Sequence, residues 1–238
     1  MLISTKYRSD APEIMDDFLM EGEILRDALD KIAHINRLLG GNSITLDGVK
    51  SLITGHPKDR LVRIVDVGCG NGAMLHTLAN FARKHQLNFE LKGIDANAFT
   101  IKHAQSLASA YPEISFECAD IFKLDLASCD IILCTLTLHH FKDDEILVLM
   151  EGFKKQSALG MVINDLHRSR TAYYLFSAIC YVFRLNQMSK DDGLTSILRG
   201  FKRHDLQSYA RQLNLKTYIL KWKWAFRYQW IVNTTNDL

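Results

Sequence analysis

The sequence predicts an α/β fold built on a mostly parallel sheet, and three observations carry that prediction. A short apolar run, Leu61-Val62 and Ile64-Val65, ends in glycines at every second position, Gly68, Gly70 and Gly72. Short apolar strands then alternate with helical periods as far as residue 163. Two last strands, 216–222 and 226–232, lie too close together for the long crossover that parallel neighbours require, so they form an antiparallel hairpin.

The first unit, strand, glycine turn and helix, is the opening of a nucleotide-binding sheet. Residues 73–82 put Met74, Leu75, Leu78 and Phe81 at helical spacing behind the turn. Glycines allow positive φ and let a ligand lie against bare backbone, whose N–H groups face it. A second strand runs from Phe89 to Ile94 and ends at Asp95. The helix from Ala98 to Tyr111 stops at Pro112, and Ile114–Cys118 alternates as a third strand. Strands at 130–134 and 161–163 follow, with a helix between them from Asp144 to Lys155.

Two regions flank this alternation. Residues 1–56 predict a helical N-terminal cap: apolar residues recur at three- and four-residue intervals from Ile14 to Leu39, Gly40-Gly41 stops the helix, and Ser43 caps a shorter one. Residues 57–238 form the main domain, with a helical insertion at 169–202. The first half of that insertion, Ala172–Phe183, is apolar nearly all round, which normally means burial. It either lines a lipophilic pocket or simply packs against neighbouring helices. Asp191-Asp192-Gly193-Leu194 reads as a polar turn.

At 238 residues the chain accommodates one full α/β domain with an appendage. A net charge of +2 is too small to imply nucleic acid or an anionic membrane as partner. The five cysteines are odd in number and lack CxxC spacing, so they read as free thiols. Acidic residues from Asp10 to Asp17 interrupt any secretory signal. The longest uncharged stretch, Thr171–Phe183, falls short of the ~20 residues of a membrane-spanning helix. The expectation is a soluble, cytoplasmic monomer or homodimer.

The spacing Gly68-x-Gly70-x-x-Ala73 satisfies the loose dinucleotide fingerprint, which leaves a nicotinamide-dependent oxidoreductase open. The acidic residue two places before the first glycine favours another cofactor. Asp66-Val67-Gly68-Cys69-Gly70-Asn71-Gly72 resembles the first motif of class I S-adenosylmethionine (SAM) methyltransferases. That resemblance implies a Rossmann-like seven-stranded sheet with an antiparallel C-terminal hairpin, and S-adenosyl-L-methionine as cofactor. It sets Asp66, Gly68, Cys69, Gly70 and Asn71 around the methionyl end, and Asp95 with Ala96 at the ribose. Asp120 then accepts from the adenine amino group, Ile121 packs on the ring, and Cys134 ends the fourth strand beside them.

Leu138-His139-His140 resembles the segment found in small-molecule methyltransferases of ubiquinone and menaquinone biosynthesis. Asn164-Asp165-Leu166-His167-Arg168 is similar to bacterial enzymes that methylate phenolic or polyketide-like compounds. The resemblance therefore implies a small aromatic or lipophilic acceptor, methylated on oxygen or carbon. His140, His139 and His167 are the candidate bases, since imidazole is largely neutral at pH 7. Arg168 and Tyr173 are candidate orienting groups. A zinc site from the three histidines is disfavoured because two are adjacent, so no metal is expected. RNA or protein methylation, or a non-catalytic SAM-binding subunit, are the alternatives.

Overall fold

A computed structural model describes residues 3–123 and 129–235; residues 1–2 and 236–238, the outer ends of the two predicted regions, lie outside the described residues. The seven strands are β1 Leu61–Val67, β2 Asn88–Asp95, β3 Ile114–Cys118, β4 Cys129–Thr135, β5 Ser157–Leu166, β6 Tyr218–Lys223 and β7 Arg227–Asn233. The helices are α1 Glu23–Leu38, α2 Gly41–Ile53, α3 Ala73–His85, α4 Ala98–Leu107, α5 Asp143–Gln156, α6 Arg170–Val182, α7 Gln187–Arg199 and α8 Arg203–Gln212. The strands form one sheet in the order β3-β2-β1-β4-β5-β7-β6. Only β7 runs against its neighbours, pairing antiparallel with both β5 and β6. The predicted fold class is the observed one.

Each face of the sheet carries its own core. On one side Val49 and Leu52 of α2 and Leu75 and Leu78 of α3 pack on Ile64, Leu91, Ile131 and Val162. On the other, Ile146 and Met150 of α5 and Leu206 and Tyr209 of α8 cover Val65, Ile132, Ile163 and Trp230. Strands buried on both faces explain the near-continuous apolar runs in the sequence. Strand order reverses between β1 and β4, which opens a crevice at their carboxyl ends, where ligands bind in such sheets.

The flanking regions depart from the sequence reading in four places. The helix expected from Ile14 is a single 3₁₀ turn, Ile14–Asp16, and α1 begins only after Gly22, whose φ is +96°. Ser43 caps nothing. The second helix starts at Gly41, with the left-handed Gly40 ahead of it, and a Cβ at Gly41 would lie 1.8 Å from the Asn36 side chain. Asp191–Leu194 sits in the middle of α7 rather than in a turn. Helix α6 is not buried all round: Ala172 and Cys180 are buried, whereas Tyr181 is 88% exposed. It packs on α7 and borders an open cavity, so much of its apolar surface meets neither core.

Gly160, where β5 pairs with both β4 and β7, has φ of +147°, and a Cβ there would stand 2.1 Å from the backbone oxygen of Val232. Backbone cannot yield there as a flexible side chain would. Gly160→Ala should therefore destabilise the protein by at least about 2 kcal/mol, read as a lower urea midpoint. An unchanged midpoint would refute this account of the β5–β7 contact.

Candidate active site

The glycine turn after β1 is shaped by close approach as much as by φ. At Gly68, with φ of +68°, a Cβ would lie 2.4 Å from the Thr137 side chain. Gly70 has φ of +53° and its N–H donates to Asp95 Oδ2 at 3.1 Å. Asp95 Oδ1 accepts from the Asn97 N–H at 3.0 Å, so β2's terminal carboxylate ties the turn to the start of α4. Burial raises the Asp95 pKa, and the Asn97 and Gly70 N–H groups pull against that rise.

Asp66 is buried, and its Oδ1 has no hydrogen-bond partner. Burial first, and the Asp95 charge second, push its pKa up to about 8. Two acidic groups at the ends of adjacent strands, one with an orphaned oxygen, fit a cationic ligand group lying across them. Backbone with no Cβ at Gly68 and Gly70 supplies the floor. These residues fit SAM, whose methionyl end carries an ammonium and a sulfonium.

A second set of titratable groups lies beyond Thr137, in the 3₁₀ turn Leu138–His140. His139 Nδ1 donates to Asp165 Oδ1 at 2.7 Å, and both residues are almost fully buried. Burial alone would raise the Asp165 pKa, but the charge and hydrogen bond of His139 outweigh it and hold it low. His140 Nδ1 donates to Asp16 Oδ1 at 2.6 Å. Burial would likewise raise Asp16, yet hydrogen bonds from His140, the Glu13 backbone and Arg199 carry its pKa below the usual carboxylate range. In the neutral form either imidazole would carry its proton on Nδ1, toward its carboxylate, and its lone pair on Nε2. His140 is the more open of the two, with 27% of its side chain exposed against 2% for His139.

Glu13 joins this group from the N-terminal segment. Its Oε1 lies 3.8 Å from His139 Nε2 and 4.0 Å from His140 Nδ1, while Oε2 accepts from Ser196 Oγ at 2.7 Å. Burial pushes its pKa up to about 7, against the opposing charges of His140 and Arg199. Glu13, His139 and His140 each offer one ligand atom within 4.8 Å of the others, a grouping the sequence reading did not foresee. The turn that carries Glu13 and Asp16 is held by α7: Asp192 accepts from the Ile14 and Met15 N–H groups at 2.7 and 2.9 Å. Arg199 donates to Asp16 Oδ2 at 2.7 Å and to the carbonyls of His139 and His140. Asp192, read from sequence as part of a polar turn, is in fact a clamp.

Both sets open on one cavity of about 1070 Å³ between the sheet's carboxyl edge, α1, α6 and α7. Asp66, Gly68, Cys69, Gly70, Asn71, Asp95, Ala96, Asp120 and Ile121 all line it, as do His139, His140 and His167. Asn71 also donates to Asp30 on α1 at 3.0 Å. Three predicted residues are elsewhere. Cys134 is 1% exposed, in the core between the sheet and α5. Arg168 is buried, where it donates to the carbonyls of Gly200 and Thr5 and pairs with Asp205 at 3.1 Å. Tyr173 stacks edge-on with Tyr174, and its helix turns Ala172, Leu175 and Phe176 to the cavity instead. His167 lines the cavity but is a poor proton acceptor: Trp222 Nε1 donates to its Nδ1 at 3.2 Å, which leaves the ring proton on Nε2.

The family described as Methyltransferase domain matches residues 58–210. The chain belongs to that family. It is a SAM-dependent methyltransferase, in keeping with the acidic glycine turn. No curated protein sequence matches it. Solved structures show the fold at low identity. The plantazolicin methyltransferase BamL, with a triazolic desmethylPZN analog and SAH, is 13% identical with a TM-score of 0.66, over 87% of this chain and 90% of that one. Magnesium protoporphyrin IX methyltransferase (ChlM) from Synechocystis PCC 6803, with bound SAH, is 15% identical over 82% of each chain, with a TM-score of 0.55. The CMeT domain of the citrinin polyketide synthase is 14% identical with a TM-score of 0.60, over 81% of this chain and 52% of that one. Among the described residues, no helix of the methyltransferase is long and apolar enough to cross a membrane.

The Asp66 pKa generates a pH prediction. In the free methyltransferase Asp66 is mostly protonated at pH 7, and a cationic ammonium set against it favours the ionised form. Affinity for S-adenosylhomocysteine should therefore rise with pH from about 6 until it levels off near pH 8, with proton release on binding. Calorimetry in buffers of different ionisation enthalpy measures that release. Enthalpies that do not depend on the buffer, or an Asp66→Asn variant with the same pH dependence, would refute it.

Proposed function

We propose that the methyltransferase methylates an oxygen or carbon of a small aromatic or lipophilic acceptor, of phenolic, quinone or polyketide-like type, with His140 as the base. What supports the reading is the His140–Asp16 pair, which opens on the same cavity as the glycine turn. A cavity of about 1070 Å³ exceeds the ~300–1,000 Å³ of a pocket for one drug-sized ligand, so cofactor and acceptor fit together. Leu175, Phe176 and Ile179 of α6 give the acceptor end an apolar wall. The named activity of the plantazolicin and protoporphyrin enzymes on small molecules supports the same class.

Asp66 and the Gly68–Gly70 backbone would hold the methionyl end of SAM, Asp95 the ribose, and Asp120 with Ile121 the adenine. When bound, SAM supplies an electrophilic methyl group for in-line displacement. The protein's share is alignment, worth ~7–11 kcal/mol in well-oriented reactions, together with proton removal. A phenol with a pKa near 10 is mostly protonated at neutral pH. His140 Nε2 takes that proton, and the Asp16 carboxylate on Nδ1 stabilises the imidazolium that forms. Glu13, ionised above about pH 7, adds a second negative charge beside the ring. His139, with its Nε2 sealed from solvent, braces the turn through Asp165 rather than touching the acceptor.

The test is incubation with methyl-labelled SAM and a panel of phenols, hydroquinones and polyketide-like aromatics, read by mass spectrometry. One added methyl group on a panel member is the expected result; label entering only RNA or protein would overturn the reading. On the accepted compound, His140→Ala should lower kcat/KM by about 10²–10⁴-fold with S-adenosylhomocysteine affinity retained. The rate should also fall as Glu13 is protonated below about pH 7, and Glu13→Gln should weaken that pH dependence. A His140→Ala rate within a few-fold of wild type would mean that alignment alone drives the transfer.

A further inference from the structure

Among the described residues that line the cavity, Arg227 is the one lysine or arginine. It opens β7, and its guanidinium is buried, with the residue 4% exposed. Neither Nε nor Nη1 has a hydrogen-bond partner. Buried cations are ordinarily paired, because an isolated one is costly to desolvate. Asp165 is the acidic group that acts on Arg227, but its oxygens are already engaged. They accept from the His139 N–H and Nδ1 at 3.2 and 2.7 Å and from the Leu166 N–H at 2.7 Å. Burial lowers the Arg227 pKa to about 10 despite the Asp165 charge, so the guanidinium stays protonated at neutral pH.

Its position separates it from the cofactor turn. Arg227 pairs in register with Leu166 at the carboxyl end of β5, and β7 stands three strands from Asp66 on β1. At ~4.8 Å per strand that is roughly 14 Å across the sheet, on the side away from Asp95 and Asp120. Trp224 and Phe226, its neighbours in the chain, line the cavity beside it and offer aromatic faces.

We propose that Arg227 anchors a carboxylate carried by the methyl acceptor, so that the preferred substrates are aromatic monoacids. The proposal rests on the reading of the cavity given above and narrows its acceptor class. A guanidinium presents a fork of donors that matches a carboxylate's two oxygens. One cation next to the ionised Asp165 suits a single negative charge; a phosphate dianion would bring a second charge against that carboxylate.

The experiment is calorimetry of the S-adenosylhomocysteine-loaded protein with 4-hydroxybenzoate and with 4-hydroxybenzamide, an uncharged mimic of the same shape. The acid should bind about tenfold or more tightly than the amide. Arg227→Met should erase that preference while cofactor affinity stays within about threefold of wild type. Equal binding of the two probes by wild type overturns the proposal, as does a preference that survives in Arg227→Met. Binding of neither probe at millimolar concentration overturns it too. A folded Arg227→Met protein that loses cofactor binding assigns the guanidinium to the cofactor instead. Should that variant fail to fold, Arg227→Lys decides, since the ammonium keeps the charge without the fork. A preference reduced at least about threefold supports the anchor, and an unchanged one refutes it. If wild type binds no S-adenosylhomocysteine, the methyltransferase reading itself has failed, which is distinct from a loaded protein that shows no preference.

Discussion

The guanidinium of Arg199 joins three parts of the chain that would otherwise be independent. It ends α7, yet it reaches the Asp16 carboxylate of the N-terminal segment and the carbonyls of His139 and His140 after β4. Arg8 repeats the contact from the other direction, donating to the carbonyls of His139 and Phe141 at 3.0 and 2.8 Å. Charge-assisted bonds of this kind are about twice as strong as neutral ones. Without them the Leu138–His140 turn would have open carbonyls, and the Glu13–Asp16 turn would rest on its bonds to Asp192, Ser196 and His140. The geometry of the acid–histidine group is therefore set by basic residues that need not meet a ligand themselves.

The sheet imposes the complementary constraint. Parallel pairing of β1 with both β2 and β4 sets Asp66 opposite Gly93, two residues from Asp95, and leaves Thr137 pressed on Gly68. On the proposed function, cofactor recognition rests on backbone register, and acid–base chemistry on side chains brought from outside the sheet. The two meet because strand order reverses between β1 and β4 and opens one crevice to both.

That division explains what could be read from the sequence. Strand runs, the glycine turn, Asp66 and Asp95 are local patterns, since each element's period and its terminal residues lie within a dozen positions of one another. The final hairpin was legible for the same reason. Glu13 and Asp16 were missed because they matter through residues more than a hundred positions away, and Glu-x-x-Asp in a tail resembles any solvated acidic stretch. Arg227 looked like an ordinary strand residue, because only the pairing of β5 with β7 carries it to the cavity. The reverse error befell Arg168 and Tyr173: both follow a strand end that borders the site, but one turns to the carbonyls of Thr5 and Gly200 and the other away from the cavity. His167 was misjudged on tautomer rather than place, since nothing in its own neighbourhood of sequence reveals Trp222.

Glu13 and Asp16 precede α1, whereas the first strand does not begin until Leu61. On the proposed function, proton handling and cofactor scaffolding occupy separate stretches of chain, docked by polar clamps rather than interleaved through the core. Such an arrangement lets the two diversify at different rates. Exchange of the Glu13–Asp16 turn alone would alter which acids stand beside His140 while leaving Arg8, the strands and the glycine turn in place. On that reading the same scaffold could serve acceptors of very different acidity by changing a segment shorter than its shortest strand.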